Sequence, residues 1–276
     1  MIIYSNGCSH TADMGMNYNK VYIDILAQEI MTDYEIINLQ QGHYNKFKNF
    51  SFESLDDKNY LLKNAEHGKS NDLIFFETLN VVLDSIGKKK IDFAIIQFSG
   101  TNRRIHSNPD GKLEHVNPFD NHHWGIKFEP FATEQSLHYM IILQELFKKY
   151  NIKYCFIPYM EFDSNSLNLS GNLKFIDTSK LTSSLYDGHR NHFRIEGKTC
   201  DAPGHPNSLG YYELAKIILQ KLELNIELKS IEYYFNEKEI IRDFETNTKM
   251  QDFIKKYGMV LRDGTEDRID ELRNLI

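Results

Sequence analysis

The stretch "IDFAIIQFSG", residues 91–100, decides the fold. Its apolar run is nearly continuous, whereas a strand with one wet face alternates apolar and polar residues. A strand of this kind is buried on both faces, which means a parallel sheet packed between helices. Working outward, "FATEQSLHYMIILQELFKKY" (131–150) reads as a long helix and "IKYCFIPYM" (152–160) as the next strand. On the other side, "NDLIFFETLNVVLDSIG" (71–87) reads as a helix with Asn71 or Asp72 as N-cap and Gly87 as its stop.

Nearer the N-terminus, "MIIYS" (1–5) and "YEIINL" (34–39) read as short strands. Between them "YIDILAQEIM" (22–31) carries Ile23, Leu26, Ala27 and Ile30 at helical spacing. The polar, aromatic segment over 44–64 is expected to be loop with a short helix, and "LKFIDTS" (173–179) a fifth short strand. "SLGYYELAKIILQKLEL" (208–224) is an amphipathic helix opened by Ser208. Strand–helix alternation implies right-handed crossovers. The expected fold is therefore a three-layer α/β/α sandwich with a flavodoxin-like parallel sheet of about five strands. Residues 1–224 form that domain. Residues 225–276 are charge-dense with no strand pattern, and are expected to be a helical extension that packs on the domain or on a partner.

Composition narrows the function classes. The chain has 276 residues, 41% apolar, 26% charged and 13% aromatic, which is ordinary for a globular protein and unlike a disordered one. A net charge of -7 and a pI near 5.9 argue against general nucleic-acid binding. No apolar stretch approaches the roughly 18 residues of a membrane helix. "MIIYSNG" lacks the basic head of a signal peptide. Cys8, Cys155 and Cys200 have no paired spacing, so neither a disulfide framework nor a zinc ribbon is suggested. A reducing cytoplasm is the expected location, with a virion or a secretion route that needs no signal peptide as the alternatives.

Ligands of parallel α/β sheets bind beyond the carboxyl ends of the strands. After the first strand comes "GCSHT" with Ser9; after the second, "NLQQGHYN" with Gly42; after 91–98, "SGTNRR" with Asn102. Before the last helix comes "CDAPGHPNSLGYY" with Asp201 and His205. Ester hydrolysis needs a hydroxyl nucleophile, a base, a group that orients the base, and donors for the developing oxyanion. Ser9, His205 and Asp201 supply the first three. The Ser9 and Gly42 amides and the Asn102 side chain supply the donors, and glycine suits a position where substrate must approach the backbone closely.

These four blocks, in this order, resemble those of the SGNH (GDSL-like) hydrolases over roughly residues 1–224. The resemblance implies Ser9 as nucleophile, Gly42 and Asn102 in the oxyanion hole and His205 as base, with no cofactor. Three departures stand out. Cys8 occupies the place of the aspartate in the family's first block. Arg103 follows Asn102 where an aspartate is usual. Ala202 stands three residues before His205, where the family has its aspartate, so Asp201 is offset by one. Either a loop absorbs that offset, or a Ser–His pair works with a backbone carbonyl as orienter.

Other polar residues have simpler readings. Cys8 is expected to be buried packing, and His10 to shape the pocket rather than act as base. His122, His123 and Trp124, with Phe119, Phe128, His189 and His192, lie in polar loops and are expected to rim the substrate cleft. A convergence of those histidines would instead make a metal site, but no HxH or HxxxH pair on an expected helix supports one. Arg103 and Arg104 are suited to an anionic substrate group, or are a solvated pair. The expected substrate is a small ester, with acetate on a carbohydrate the first choice by family analogy. The rival reading is a non-catalytic binding or structural module, homo-oligomeric or joined to a larger assembly through 225–276.

Overall fold

The computed structural model describes residues 1–8, 11, 20–39, 50–66, 69–99, 129–158 and 208–237. For 104–107, 113–116, 129–133, 158, 190–191, 205–206 and 209 it describes the backbone alone. Strand β1 (Ile2–Gly7) runs through the middle of a five-stranded parallel sheet, as its unbroken burial requires. Helix α1 (Tyr22–Ile30) leads to β2 (Tyr34–Asn38), a half-exposed edge strand. A short 3-10 turn (Phe52–Ser54) precedes β3 (Asn59–Ala65). Helix α2 (Asn71–Ser85) then crosses to β4 (Phe93–Phe98), every residue of which is buried. After the antiparallel pair β5 (Arg104–Ser107) and β6 (Leu113–Val116), helix α3 (Glu129–Lys149) leads to β7 (Lys153–Pro158). The two-residue strands β8 (Arg190–Asn191) and β9 (His205–Pro206) pair antiparallel ahead of α4 (Ser208–Lys221) and α5 (Ile231–Tyr234).

The sheet order is β2-β3-β1-β4-β7, with all four pairings parallel. Because side chains alternate along a strand, the two faces feed two cores. Ile3, Leu61, Ile95 and Cys155 pack under α1 and α4 with Leu26 and Ile218. Tyr4, Leu62, Ile96 and Phe156 pack under α2 and α3 with Val82 and Leu143. This is the expected α/β/α sandwich on five parallel strands.

Two local expectations are corrected. Residues 59–65, expected to be loop, form the strand between β1 and β2. Its polar residues have partners on other elements: Lys63 ion-pairs with Asp24 of α1 at 2.7 Å, and Asn59 Oδ1 accepts from the Met1 amino group at 3.0 Å. The N-cap of α2 is Ser70, whose Oγ accepts from Leu73 N at 3.3 Å, rather than Asn71 or Asp72. Its C-terminal turn does end at Gly87, in the left-handed region with φ 76° where glycine is favoured. The expected strand 173–179 and residues 238–276 lie outside the described residues.

The start of the charged extension packs on the domain. Ile226, Leu228 and Ile231 lie against the α1/α4 core, and Tyr234 and Phe235 are buried in it. Lys229 anchors the same stretch, its carbonyl accepting from Tyr212 OH at 3.0 Å and its ammonium lying 3.4 Å from Glu29. Burying an aromatic ring of this kind contributes about 1.5–3 kcal/mol.

Candidate active site at the carboxyl edge of the sheet

The strand register makes the carboxyl ends level. Gly7 lies opposite Ala65, Asn6 opposite Ile96, Asn38 opposite Lys63, and Phe98 opposite Pro158. The chain therefore leaves toward Ser9, toward Gly42 and toward Asn102 from one edge. The helix after β1 covers one face and the helix after β4 covers the other. Adjacent strands whose connections part in this way open a crevice between their ends, the ligand position of doubly wound sheets.

Ser9, His10, Gly42, Asn102, Arg103, His122, His123, Trp124 and Asp201 lie outside the described residues. For His205 the backbone is described: it sits in β9, opposite Asn191. Among the described residues no three His, Cys, Asp or Glu side chains gather as a metal site, and no helix is long and apolar enough to cross a membrane.

The residues that flank Ser9 and His10 are tightly held. Thr11 N–H donates to the Cys8 carbonyl at 2.9 Å. Gln97, on β4, accepts at Oε1 from the Cys8 thiol (3.2 Å) and from the Thr11 hydroxyl (3.0 Å). With its own proton committed, Thr11 Oγ1 takes the Tyr22 hydroxyl as donor at 2.7 Å. The Tyr22 ring in turn lies 6.3 Å from the ring of Tyr211, in the first turn of α4. Tyr22 thus ties the exit of β1 to the start of the helix that follows His205 directly in sequence. Cys8 is buried, as expected for packing.

Beneath this turn lies a second polar layer on the α2 face. The fully buried Lys69 ammonium donates to Asn6 Oδ1 (3.1 Å), to the Asn64 carbonyl (2.5 Å) and to Glu77 Oε2 (2.6 Å). Asn6 Oδ1 also accepts from Gly7 N at 2.8 Å, while its amide donates to the Ile74 carbonyl and to Thr78 Oγ1. Burial pushes Lys69 below the usual lysine range and Glu77 above the usual carboxylate range, and their mutual attraction opposes both shifts. Burial likewise raises the Tyr4 phenol beside them.

The exit of β4 has its own clamp. Asn71 Oδ1 accepts from Ser99 N at 2.6 Å, and its amide donates to the Ser99 carbonyl (3.0 Å) and to Ser136 Oγ (2.9 Å) of α3. Asn6, Lys69, Asn71 and Gln97 form buried polar contacts at these strand exits that sequence reasoning missed. Two of them carried a readable mark, since Asn6 and Gln97 are polar residues inside strands otherwise apolar enough for burial on both faces.

The fold can be set beside known proteins. No family model matches the chain, and no curated protein matches it. The chain is similar to several solved structures. The TesA structure matches at 9% identity and TM-score 0.43, covering 81% of this chain and 98% of that one. A member of the lipolytic protein G-D-S-L family from Veillonella parvula matches at 13% identity and TM-score 0.41, covering 80% and 97%. The lipase/acylhydrolase from Enterococcus faecalis matches at 14% identity and TM-score 0.40, covering 83% and 98%.

Proposed function

We propose that the chain is a hydrolase of the SGNH type that cleaves a carboxylic ester through an acyl-enzyme on Ser9. The Ser9 hydroxyl attacks the carbonyl carbon as His205 takes its proton, oriented by Asp201. The tetrahedral oxyanion is held by the Ser9 and Gly42 amides and by the Asn102 side chain. The C–O bond to the alcohol then breaks and His205 returns the proton to the leaving oxygen. Water, deprotonated by His205, releases the acid and restores Ser9. Arg103, His122, His123 and Trp124 form the rim that receives the alcohol, for which an O-acetylated carbohydrate is the first candidate.

One observation supports this reading above the others: β1 and β4, whose next loops carry Ser9 and Asn102, are neighbours at the crevice, and Tyr22 links the first of these exits to the start of α4. The test is a fluorophosphonate probe together with p-nitrophenyl acetate. The expected result is probe mass on the peptide containing Ser9, and hydrolysis that vanishes in a folded Ser9→Ala variant. Equal hydrolysis by wild type and Ser9→Ala refutes the serine mechanism. Hydrolysis abolished by a chelator but kept in Ser9→Ala points to a metal instead. Neither labelling nor hydrolysis favours the non-catalytic module.

A further inference from the structure

We propose that Lys69 is a positioning residue, which fixes the end of β1 so that the residue two places beyond Gly7 emerges in one orientation. The inference rests on the reading of Ser9 as nucleophile. Its structural basis is the convergence of three elements on one ammonium. Asn6 belongs to β1, Asn64 to β3 and Glu77 to α2, and each supplies one acceptor to the three donors of Lys69. No donor is left over, and the group is fully buried, so it neither meets substrate nor serves solubility.

A buried ammonium is a costly way to fill space, and apolar side chains of similar volume are often as stable. What the ammonium adds is direction. Through Asn6 Oδ1 it is one bond from the Gly7 N–H. The Gly7 carbonyl is held from the other side, accepting from Glu66 N at 3.0 Å, and Glu66 opens the turn that ends at Lys69 (Lys69 N to Glu66 O, 3.4 Å). Both polar groups of the Gly7 backbone are thus referred to Lys69 and its turn. A nucleophile carried on the next turn inherits that fixity. Loss of such alignment, even by about 1 Å, costs on the order of 100-fold in rate.

The test compares wild type with the Lys69→Met/Glu77→Gln double variant, which removes both buried charges together. Val82→Ala, a core change on the same helix, is the control for lost stability. Three quantities are measured: kcat and KM on p-nitrophenyl acetate, the rate of fluorophosphonate labelling, and amide hydrogen exchange of residues 4–11. The expected result for the double variant is a fall of about 10–100-fold in kcat and in labelling rate with KM unchanged. Exchange over 4–11 rises about 10-fold beyond any change elsewhere in the chain. Val82→Ala raises exchange broadly and leaves kcat alone.

Should the double variant not fold, Asn6→Ser carries the same expectation, because it breaks the link to β1 and spares the Lys69–Glu77 pair. Wild-type kcat and exchange over 4–11, or changes no greater than global stability explains, overturn the proposal. If wild type takes no probe at all, the nucleophile reading fails, and local exchange over 4–11 alone decides whether Lys69 fixes the strand end.

Discussion

Gly7→Ala is the most informative single substitution, because the space for a methyl group at that position can be read atom by atom. Gly7 is extended and paired with Ala65, so no unusual backbone angle calls for glycine there. The demand is steric. A Cβ on Gly7 meets Thr11 Oγ1 at 2.5 Å, Gln97 Cβ at 2.9 Å and Gln97 Oε1 at 3.1 Å. Thr11 Oγ1 is held by Tyr22 and Gln97, and Gln97 Cβ cannot retreat without moving β4. Overpacking of this kind costs about 1–3 kcal/mol, and each hydrogen bond broken in making room about 1 kcal/mol more. The expected destabilisation is about 2–5 kcal/mol, and a chain of this length loses about 2–4 °C in Tm per kcal/mol.

Thermal unfolding by circular dichroism measures that loss, and a double-mutant cycle with Thr11→Ala locates it. Removing the Thr11 hydroxyl costs its own hydrogen bonds but frees part of the space, so the combined variant should lose less than the sum. Fluorophosphonate labelling of Gly7→Ala should slow as well, because the displaced atoms flank Ser9. A Gly7→Ala protein with the wild-type Tm and labelling rate would refute the picture of a filled junction. Strict additivity in the cycle would remove Thr11 as the source of the clash.

Two further outcomes are expected. Asn71→Ala removes three hydrogen bonds between α2, the β4 exit and α3, so it should lose about 3 kcal/mol; a loss under about 1 kcal/mol by urea unfolding would show that the clamp carries no load. Alkaline titration followed at 295 nm should be staggered, because burial, aided by the charge of Glu145, pushes Tyr154 up to about 12, while burial raises Tyr4. Since these phenols lose their proton less readily when folded than when unfolded, their contribution to stability is complete below about pH 10 and is lost as pH climbs toward 12. One uniform transition near 10 with the fold intact would contradict this.

Much of the fold could be read because apolar runs and burial coincide. "FAIIQF" and "IIYS" are buried on both faces because each lies between two strands and two helical layers, and their sequences say so directly. Residues 59–65 could not be read in that way. Asn59, Lys63 and Asn64 look like loop residues until the Met1 amino group, Asp24 and Glu77 are brought beside them by the rest of the chain. The same holds for the cap of α2. Asn71 has the right chemistry for a cap, but its amide is spent across the sheet edge, and Ser70 caps instead. At the candidate site, the segment expected to carry Ser9 announces itself through Gly7 and the small polar residues after it. The support under that turn does not, because a lone lysine in "EHGKSN" carries no mark that distinguishes a buried ammonium from a solvated one.

The central strand of this sheet precedes both of its neighbours along the chain. Its two neighbours begin at Asn59 and Phe93. Until the second of them exists, β1 lacks a partner on one side, and parallel pairing over such separations is slow to form and exposed to misassociation meanwhile. Refolding of this chain should therefore be limited by assembly of the middle of the sheet rather than by helix formation. Its yield should fall with protein concentration as unpaired β1 segments find one another.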